Sequence, residues 1–418
     1  MLFKSPRGTK DILPQESRIW REVEEKARAV FSLFAYEEIR TPIIEESKLF
    51  SRSLGDLTDI VQKQMFLIKK ETDTFVLRPE ATASIVRSYV EHTLYNVVAV
   101  SKFFYLGPMF RAERPQKGRL RQFHHIGGEA IGSYHPHVDA ESLACATRLI
   151  ASFGISGFQV VLNTLGCLND KKSFALNLRE KILPHKKSFC EDCQARMAKN
   201  IFRVLDCKNK QCRDIIVSQN LGRAHICPDC EKHFKEVKEG LDLLGVPYQV
   251  DPFLVRGLDY YTRTVFEITH AGLGSQDALG AGGRYDSLVE ELGGPARGAF
   301  GFALGFERLL LAMGRTEDIE GPASCDCYII PLGEEASKMC LKMSQELRES
   351  RIRVDVDFLE GSLKSKMRRS DKSRARFALI IGDDELAKGA GVLKDMRNGA
   401  QEDVALGQLG EKIKSLIL

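Results

Sequence analysis

Between residues 15 and 36 the apolar positions Ile19, Trp20, Val23, Ala27, Val30, Phe31 and Phe34 recur every three or four residues. That period marks one face of an α-helix, so a long amphipathic helix is predicted to open the fold. Residues 38–45 carry Ile39, Ile43 and Ile44 around Pro42, a β-branched run whose proline keeps the strand at an edge or an interface. Residues 97–110 and 121–132 read as two strands joined by the polar, basic segment 111–119, a long hairpin with a cationic tip. Another strand is predicted at 159–163. From 167 to 247 the composition shifts to Lys, Cys, Asp and Asn with short helical periodicities, the pattern of a subdomain inserted into the core. Strand signals return at 254–269, a glycine-rich turn is predicted at 280–283, and residues 298–311 read as a strand passing into a helix. Past a linker at 317–322, strand-like 327–331, helical 334–348, and strand-like 353–358 and 377–381 alternate. A core over 1–320, interrupted at 167–247, and a separate α/β domain over 325–418 are therefore expected.

Length and composition narrow the class. A chain of 418 residues supports two or three domains, and 43% hydrophobic with 28% charged residues excludes wholesale disorder and a membrane protein. The longest uncharged stretch, 149–169, is interrupted by Ser, Gly, Gln, Asn and Thr, whereas a membrane span needs about 20 apolar residues. Lys4, Arg7, Lys10, Asp11 and two prolines occupy the first fourteen positions, where a signal peptide would carry an apolar run, so a cytoplasmic protein is expected. A net charge of +4 does not by itself steer a polyanion. Of eleven cysteines, six (Cys190, Cys193, Cys207, Cys212, Cys227 and Cys230) fall between 190 and 230, which favours metal or redox chemistry over a disulfide framework.

The arginines carry the next inference. Arg111, Arg114, Arg119, Arg121, Arg256, Arg263, Arg284 and Arg308 all lie in or beside predicted strands and glycine-rich turns, and desolvating so many guanidiniums requires anionic partners. Any one of them could serve a local ion pair; the set reads as phosphate binding. No G-x-x-x-x-G-K-[ST] loop occurs and no G-x-G-x-x-G follows a strand, so arginine forks on a sheet must hold the phosphates.

These residues fall into strings that resemble bacterial histidyl-tRNA synthetases, a family of class II aminoacyl-tRNA synthetases, over essentially the whole chain. Arg7-Gly-Thr-Lys-Asp-Ile-Leu-Pro14 is similar to the family's opening segment, and the first helix with Ile39-Arg-Thr-Pro42 to class II motif 1, the dimerisation element. Residues 110–124, Phe-Arg-Ala-Glu-Arg-Pro-Gln-Lys-Gly-Arg-Leu-Arg-Gln-Phe-His, resemble motif 2, and residues 301–308, Gly-Phe-Ala-Leu-Gly-Phe-Glu-Arg, motif 3. The fourteen residues 254–267 and the string Ala281-Gly-Gly-Arg-Tyr-Asp286 resemble the two histidine-specific motifs.

The resemblance implies an α+β class II catalytic core, an antiparallel sheet flanked by helices, with a helical insertion and a C-terminal α/β anticodon-binding domain. It implies a histidine–tRNA ligase, a homodimer whose partners are tRNA(His), L-histidine and ATP with Mg²⁺, and no membrane. Activation joins the histidine carboxylate to the ATP α-phosphate with loss of pyrophosphate and needs positive charge at both ends of the triphosphate. By position, Arg111 would bridge the α-phosphate and the carboxylate, and Arg256 would face the α-phosphate from the other side, an ion pair with Asp259 being its local alternative. Arg119 and Arg308 would hold the β,γ end, with Glu113 completing the ATP-binding set. Glu80, Thr82, Glu129, Tyr260, Tyr261 and Tyr285 fall where the family surrounds the imidazole with hydrogen-bonding groups, a pocket able to discriminate by about 10⁴ without editing. His125 departs from the pattern, which has glutamine there; a protonated His125 would repel a histidinium or the α-ammonium.

Two clusters stand apart. Cys190-x₂-Cys193 and Cys227-x₂-Cys230 are each spaced like half of a tetrahedral structural zinc site, with Cys207, Cys212, His225 and His233 as further candidate ligands. The family resemblance brings no zinc requirement, so reduced thiols on an insertion are the alternative. Between 363 and 377, Lys364, Lys366, Arg368, Arg369, Lys372, Arg374 and Arg376 oppose only Asp371. That run is either a solvated helix face or a footprint for tRNA phosphates, and the resemblance favours tRNA. A non-catalytic regulatory paralogue, partner of an ATP phosphoribosyltransferase, shares the class II core. Arg111, Arg256, Arg308 and a C-terminal domain with a basic run argue against it.

Overall fold

The computed structural model describes residues 3–55, 58–116, 118–219, 221, 226–314 and 324–417. The chain divides into two units, Met1–Glu317 and Asp318–Leu418; the linker expected at 317–322 lies outside the described residues.

The first unit is built on an eight-stranded sheet, in the order Glu37–Glu38, Ser101–Phe110, Gln122–Ile131, Ala299–Gly305, Ala278–Arg284, Thr262–Thr269, Gln159–Thr164 and Gln249–Val250. Its six inner strands are antiparallel to one another and the two short outer strands are parallel to the strands they flank. Side chains alternate across such strands. Phe104, Ile126, Phe266, Ile268, Leu279, Phe300, Phe302 and Leu304 pack on one side with Phe31, Leu143, Leu149 and Leu241. Those last residues belong to the helices Pro14–Leu33, Pro136–Ser152 and Pro228–Leu243. The alternation leaves Tyr105, His125, Glu129, Glu267, Gly301 and Ala303 for the opposite side. The opening helix follows its period: Ile19, Trp20, Val23, Ala27, Val30 and Phe31 are its buried residues.

Two expectations need correction. Only Thr262–Thr269 of the run 254–269 is a strand; residues 254–261 form a loop from which Val255, Arg256, Leu258, Tyr260 and Tyr261 line the cavity described below. The glycines at 280–283 are not a turn but part of the strand Ala278–Arg284. A Cβ on Gly282 would lie 2.1 Å from the Gly301 carbonyl oxygen and one on Gly280 2.6 Å from that of Ala303, so glycine here reports close backbone approach inside a sheet.

The insertion is helical, with Leu168–Ile182, Glu191–Lys199, Lys210–Ser218 and the start of Pro228–Leu243. The second unit has a five-stranded sheet in the order Val354–Val356, Cys327–Pro331, Phe377–Ile381, Ala390–Asp395, Gln401–Ala405. Its first three strands are parallel and the last two antiparallel. Cys327, Ile329, Leu379, Ile381 and Leu393 form its core with Cys340, Leu347 and Ile413 from flanking helices.

Candidate active site

A cavity of about 710 Å³ opens on the side of the large sheet away from the long helices. The sequence-predicted Glu80, Thr82, Arg111, Glu113, Arg119, His125, Arg256, Tyr260, Tyr261, Tyr285 and Arg308 all line it. They come from chain segments up to 228 positions apart, which only the sheet brings together.

The cationic side is made by the hairpin and the motif that resembles class II motif 3. Arg111 follows the strand Ser101–Phe110; its Nε donates to the Pro79 carbonyl at 2.9 Å and its guanidinium lies 5.3 Å from the centre of the Phe123 ring. Arg308 enters from the first turn of the helix Phe306–Ala312 and donates from Nη1 to the Ala278 carbonyl at 2.6 Å. Burial holds the Arg308 pKa below its ordinary value, and the charge of Arg119, then that of Arg256, acts in the same direction. The Arg111 pKa is likewise lowered, first by burial. Cations crowded this way are stabilised by an anion between them. Two of the lining carboxylates pair with these arginines: Glu113 with Arg119 at 2.6 Å and Glu267 with Arg256 at 3.0 Å. Asp259, the expected alternative partner of Arg256, accepts instead from Asn200 at 2.6 Å.

The polar end is a hydrogen-bonded knot. Glu129 is fully buried, accepting from Thr82 Oγ1 at 2.6 Å and from the Tyr285 hydroxyl at 2.5 Å. Both its oxygens are engaged behind the cavity wall, so Glu129 is not itself a lining residue. Burial raises its pKa to about 8 against the lowering effect of those two bonds, and Glu80 raises it further. Gly301 is obligatory beside it, since a Cβ there would lie 1.7 Å from Glu129 Oε2. Glu80 accepts from the amides of Thr82 and Ala83 at 2.6 and 3.0 Å at the start of the helix Thr82–Glu91. The Tyr260 ring meets Tyr261 and Tyr285 edge-on at 4.7 and 5.7 Å.

His125 is neutral. Burial, then the charges of Arg111, Arg308, His124 and Arg78, depress its pKa to about 3. The repulsion expected from a protonated ring does not arise, and the Nδ1 of this cavity-lining residue is a buried polar atom without a hydrogen-bond partner.

Several expectations fail at this level. Arg284 does not face the cavity. It is fully buried and bonds to Asp139 at 2.7 Å and Asp286 at 2.8 Å, so it fastens the histidine-motif strand to the helix Pro136–Ser152. Arg121 donates to the backbone carbonyls of Glu113 and Arg7, Arg263 lies 3.8 Å from Asp286, and Arg114 is exposed. The two C-x-x-C pairs do not meet in one site. Cys190 and Cys193 gather with Cys207 and Cys212, while Cys227 and Cys230 gather with Cys167 and Asp170. His233 sits beside Asp139, with Nε2 at 3.8 Å from a carboxylate oxygen, and His225 lies outside the described residues. In the basic run, Lys366 is buried with its Nζ on the Asp357 carbonyl at 3.0 Å, and Arg369 bonds the Asp357 carboxylate at 2.8 and 3.1 Å. Both hold the domain together and are not free for a polyanion. Lys364, Arg368 and Lys372 are exposed at four-residue spacing on the helix Leu363–Lys372.

The residues 254–261 loop is also held from the insertion, which the sequence did not reveal. Lys171 Nζ donates to the carbonyls of Asp259 and Tyr261 at 2.8 and 2.6 Å, and Arg203 pairs with Asp59. Arg203, Asp206 and Lys208 line the cavity together with Tyr105 and Phe123. Alternation along the hairpin could have found Tyr105. No periodicity could have found Lys208.

An antiparallel sheet presenting arginines from a long hairpin and from a strand–helix junction to one cavity, with an α/β unit following it in the chain, defines a class II aminoacyl-tRNA synthetase. A family model described as "Histidyl-tRNA synthetase" matches residues 8–181 and 192–309, and one described as "Anticodon binding domain" matches 326–416. The chain is 44% identical over 420 residues to "Histidine--tRNA ligase" of Halothermothrix orenii, covering all of both chains. It is 43% identical to the protein of the same name from Clostridioides difficile, covering 99% of each. The apo histidyl-tRNA synthetase of S. aureus superposes with a TM-score of 0.79 at 36% identity, covering 99% of this chain and 100% of that one. The chain belongs to the histidyl-tRNA synthetase family. It is an ATP-dependent histidine–tRNA ligase, activating L-histidine to histidyl-adenylate with release of pyrophosphate and transferring histidyl to the 3′-terminal adenosine of tRNA(His). A structure titled as an ATP phosphoribosyltransferase regulatory subunit/histidyl-tRNA synthetase from Bacillus halodurans shares the fold, with a TM-score of 0.65 at 20% identity.

Proposed function

We propose that the four arginines of the cavity divide the triphosphate between them and that the knot around Glu129 receives the imidazole. Arg111 bridges the α-phosphate and the histidine carboxylate, holding nucleophile and electrophile in contact while charge builds on the α-phosphate. Arg256 faces that phosphate from the opposite wall, exchanging its pairing with Glu267 for the ligand. Arg119 and Arg308 neutralise the β,γ end and the departing pyrophosphate. Their convergence on one cavity is the observation that carries this reading. Glu113 and Glu267 supply hard oxygen donors beside these arginines, a donor set that fits Mg²⁺; bound there, the ion would add charge neutralisation at the triphosphate.

Thr82, Tyr260, Tyr261, Tyr285, Glu80 and neutral His125 surround the imidazole and α-ammonium. Glu129 acts through Thr82 and Tyr285, as a positioning residue. In the C-terminal unit Lys364, Arg368 and Lys372 offer phosphates a cationic stripe. The exposed Ile43, Ile44, Leu67 and Ile68 of the small sheet Ile44–Glu46, Phe66–Lys70, Asp73–Leu77 support a homodimer, since apolar clusters of this kind mark interaction surfaces. No helix of the described residues is long and apolar enough to cross a membrane, and we place the enzyme in the cytosol with the rest of the translation machinery.

The arginine roles are tested by histidine-dependent ATP–pyrophosphate exchange. Arg256→Ala and Arg308→Ala, each with wild-type circular dichroism, should lose about 10²-fold or more in kcat. A wild-type rate from either variant removes that residue from the mechanism.

A further inference from the structure

The insertion's cysteines fall into two groups whose ligand atoms all lie within 4.8 Å of one another: Cys190, Cys193, Cys207 and Cys212, and Cys167, Asp170, Cys227 and Cys230. We propose that each group is a tetrahedral structural zinc site, an all-cysteine site inside the insertion and a three-cysteine, one-aspartate site at its neck.

The spacing fits a tetrahedral metal site and excludes a disulfide. A tetrahedron with Zn–S bonds of about 2.3 Å separates its sulfurs by about 3.8 Å. Cys190 Sγ and Cys207 Sγ are 3.8 Å apart, far beyond the S–S bond length of about 2.05 Å. Backbone amides point at the sulfurs, Cys190 N–H to Cys212 Sγ at 3.3 Å and Cys167 N–H to Cys230 Sγ at 3.1 Å. All eleven cysteines are free.

The chain builds both sites from one local device. Cys190 caps the helix Glu191–Lys199 and Cys193 is its third residue; Cys227 caps Pro228–Leu243 and Cys230 is its third residue. Cys167 caps Leu168–Ile182 with Asp170 third, and Asn209 caps Lys210–Ser218 with Cys212 third. Cap and third position share one end of a helix, so each unit delivers one or two donors where the helix dipole stabilises thiolate or carboxylate. At the neck two such units supply all four ligands, and in the inner site they supply three, with Cys207 from the segment before Asn209 as the fourth; either set carries two charges more than a divalent ion neutralises. The surrounding amides help carry that excess. Asp170 also accepts from the Cys167 and Cys227 amides, both at 3.1 Å, which locks the two caps of the neck together.

Position explains what the metals would accomplish. The neck site joins the chain where it leaves the core, just after the strand Gln159–Thr164, to the helix on which it returns. It therefore closes a loop of about 60 residues, too short to build a self-sufficient core. Asp170 is followed by Lys171, which holds the Asp259 and Tyr261 carbonyls. In the inner site Cys207 stands between Asp206 and Lys208, two cavity-lining residues. One metal would thus fix the insertion to the core and the other would fix the segment that walls the cavity.

Protein purified anaerobically without chelator and supplied with Zn²⁺ should carry about two equivalents per chain by plasma mass spectrometry. Replacement by Co²⁺ should give sulfur-to-cobalt charge-transfer bands and the strong visible bands of tetrahedral coordination. Cys193→Ser and Cys230→Ser should each retain about one equivalent, and the wild-type stoichiometry decides the matter even where a variant does not fold. Fewer than a tenth of an equivalent in the wild type overturns the proposal. A single equivalent overturns the two-site assignment, and its loss in both variants would restore one shared site.

Discussion

Glu129 shows how a single residue can be legible in type and not in role. Its acid and its place after two glycines were readable, but only the structure shows both oxygens bonded and the carboxyl behind the wall. Its raised pKa has a measurable consequence. A carboxyl whose folded pKa is about 8, against an ordinary 4.5, stabilises the fold fully below the ordinary value and loses that contribution as pH climbs to about 8. Relative to Glu129→Gln, the wild type should lose about 2 to 3 kcal/mol of stability in urea between pH 6 and pH 8, and nothing further above pH 8. A difference independent of pH would mean that Glu129 is ionised in the empty enzyme. His125 illustrates the reverse case. Its type suggested a titrating residue, yet the arginines that make the site useful, together with burial, keep it neutral. Residue type fixes the candidates for chemistry, and surroundings that come from distant segments fix the protonation state.

At the scale of elements, two strand-like runs on either side of a polar, basic segment made the long hairpin legible, and the 3.6 period did the same for the opening helix. What stayed hidden has physical reasons. The glycines at 280–283 resemble a turn locally and are required by a neighbouring strand's carbonyls, a tertiary constraint no local pattern carries. The cysteine pairs look like halves of one site because spacing records neither the direction in which each helix starts nor the contribution of Cys167 and Asp170. The basic run looked uniform until burial divided it. Lys366 and Arg369 bind Asp357, while Lys364, Arg368 and Lys372 face solvent on one stripe. Reversing those three to Glu should raise the KM for tRNA at least tenfold and steepen no step of tRNA-independent exchange. Arg369→Glu should instead lower the thermal midpoint, because it leaves Asp357 buried against a like charge. An unchanged tRNA KM in the triple variant would assign the stripe to solvent.

The whole molecule couples a sheet that gathers charge with an insertion that reaches the same cavity. Near-neutral overall charge conceals this arrangement: the cations that matter are paired or crowded inside one wall, and several others, Arg284 above all, only hold elements together. On the proposed assignment, activation rests on the sheet and its arginines, and selectivity for histidine on the knot of Glu80, Thr82, Glu129 and the tyrosines. Pyrophosphate exchange with each of the twenty amino acids, without tRNA, measures both together. Exchange should be supported by histidine alone, every other amino acid being slower by about 10⁴ or more in kcat/KM; comparable exchange with another amino acid, or none with histidine in folded protein, would overturn the assignment of the arginines and the knot.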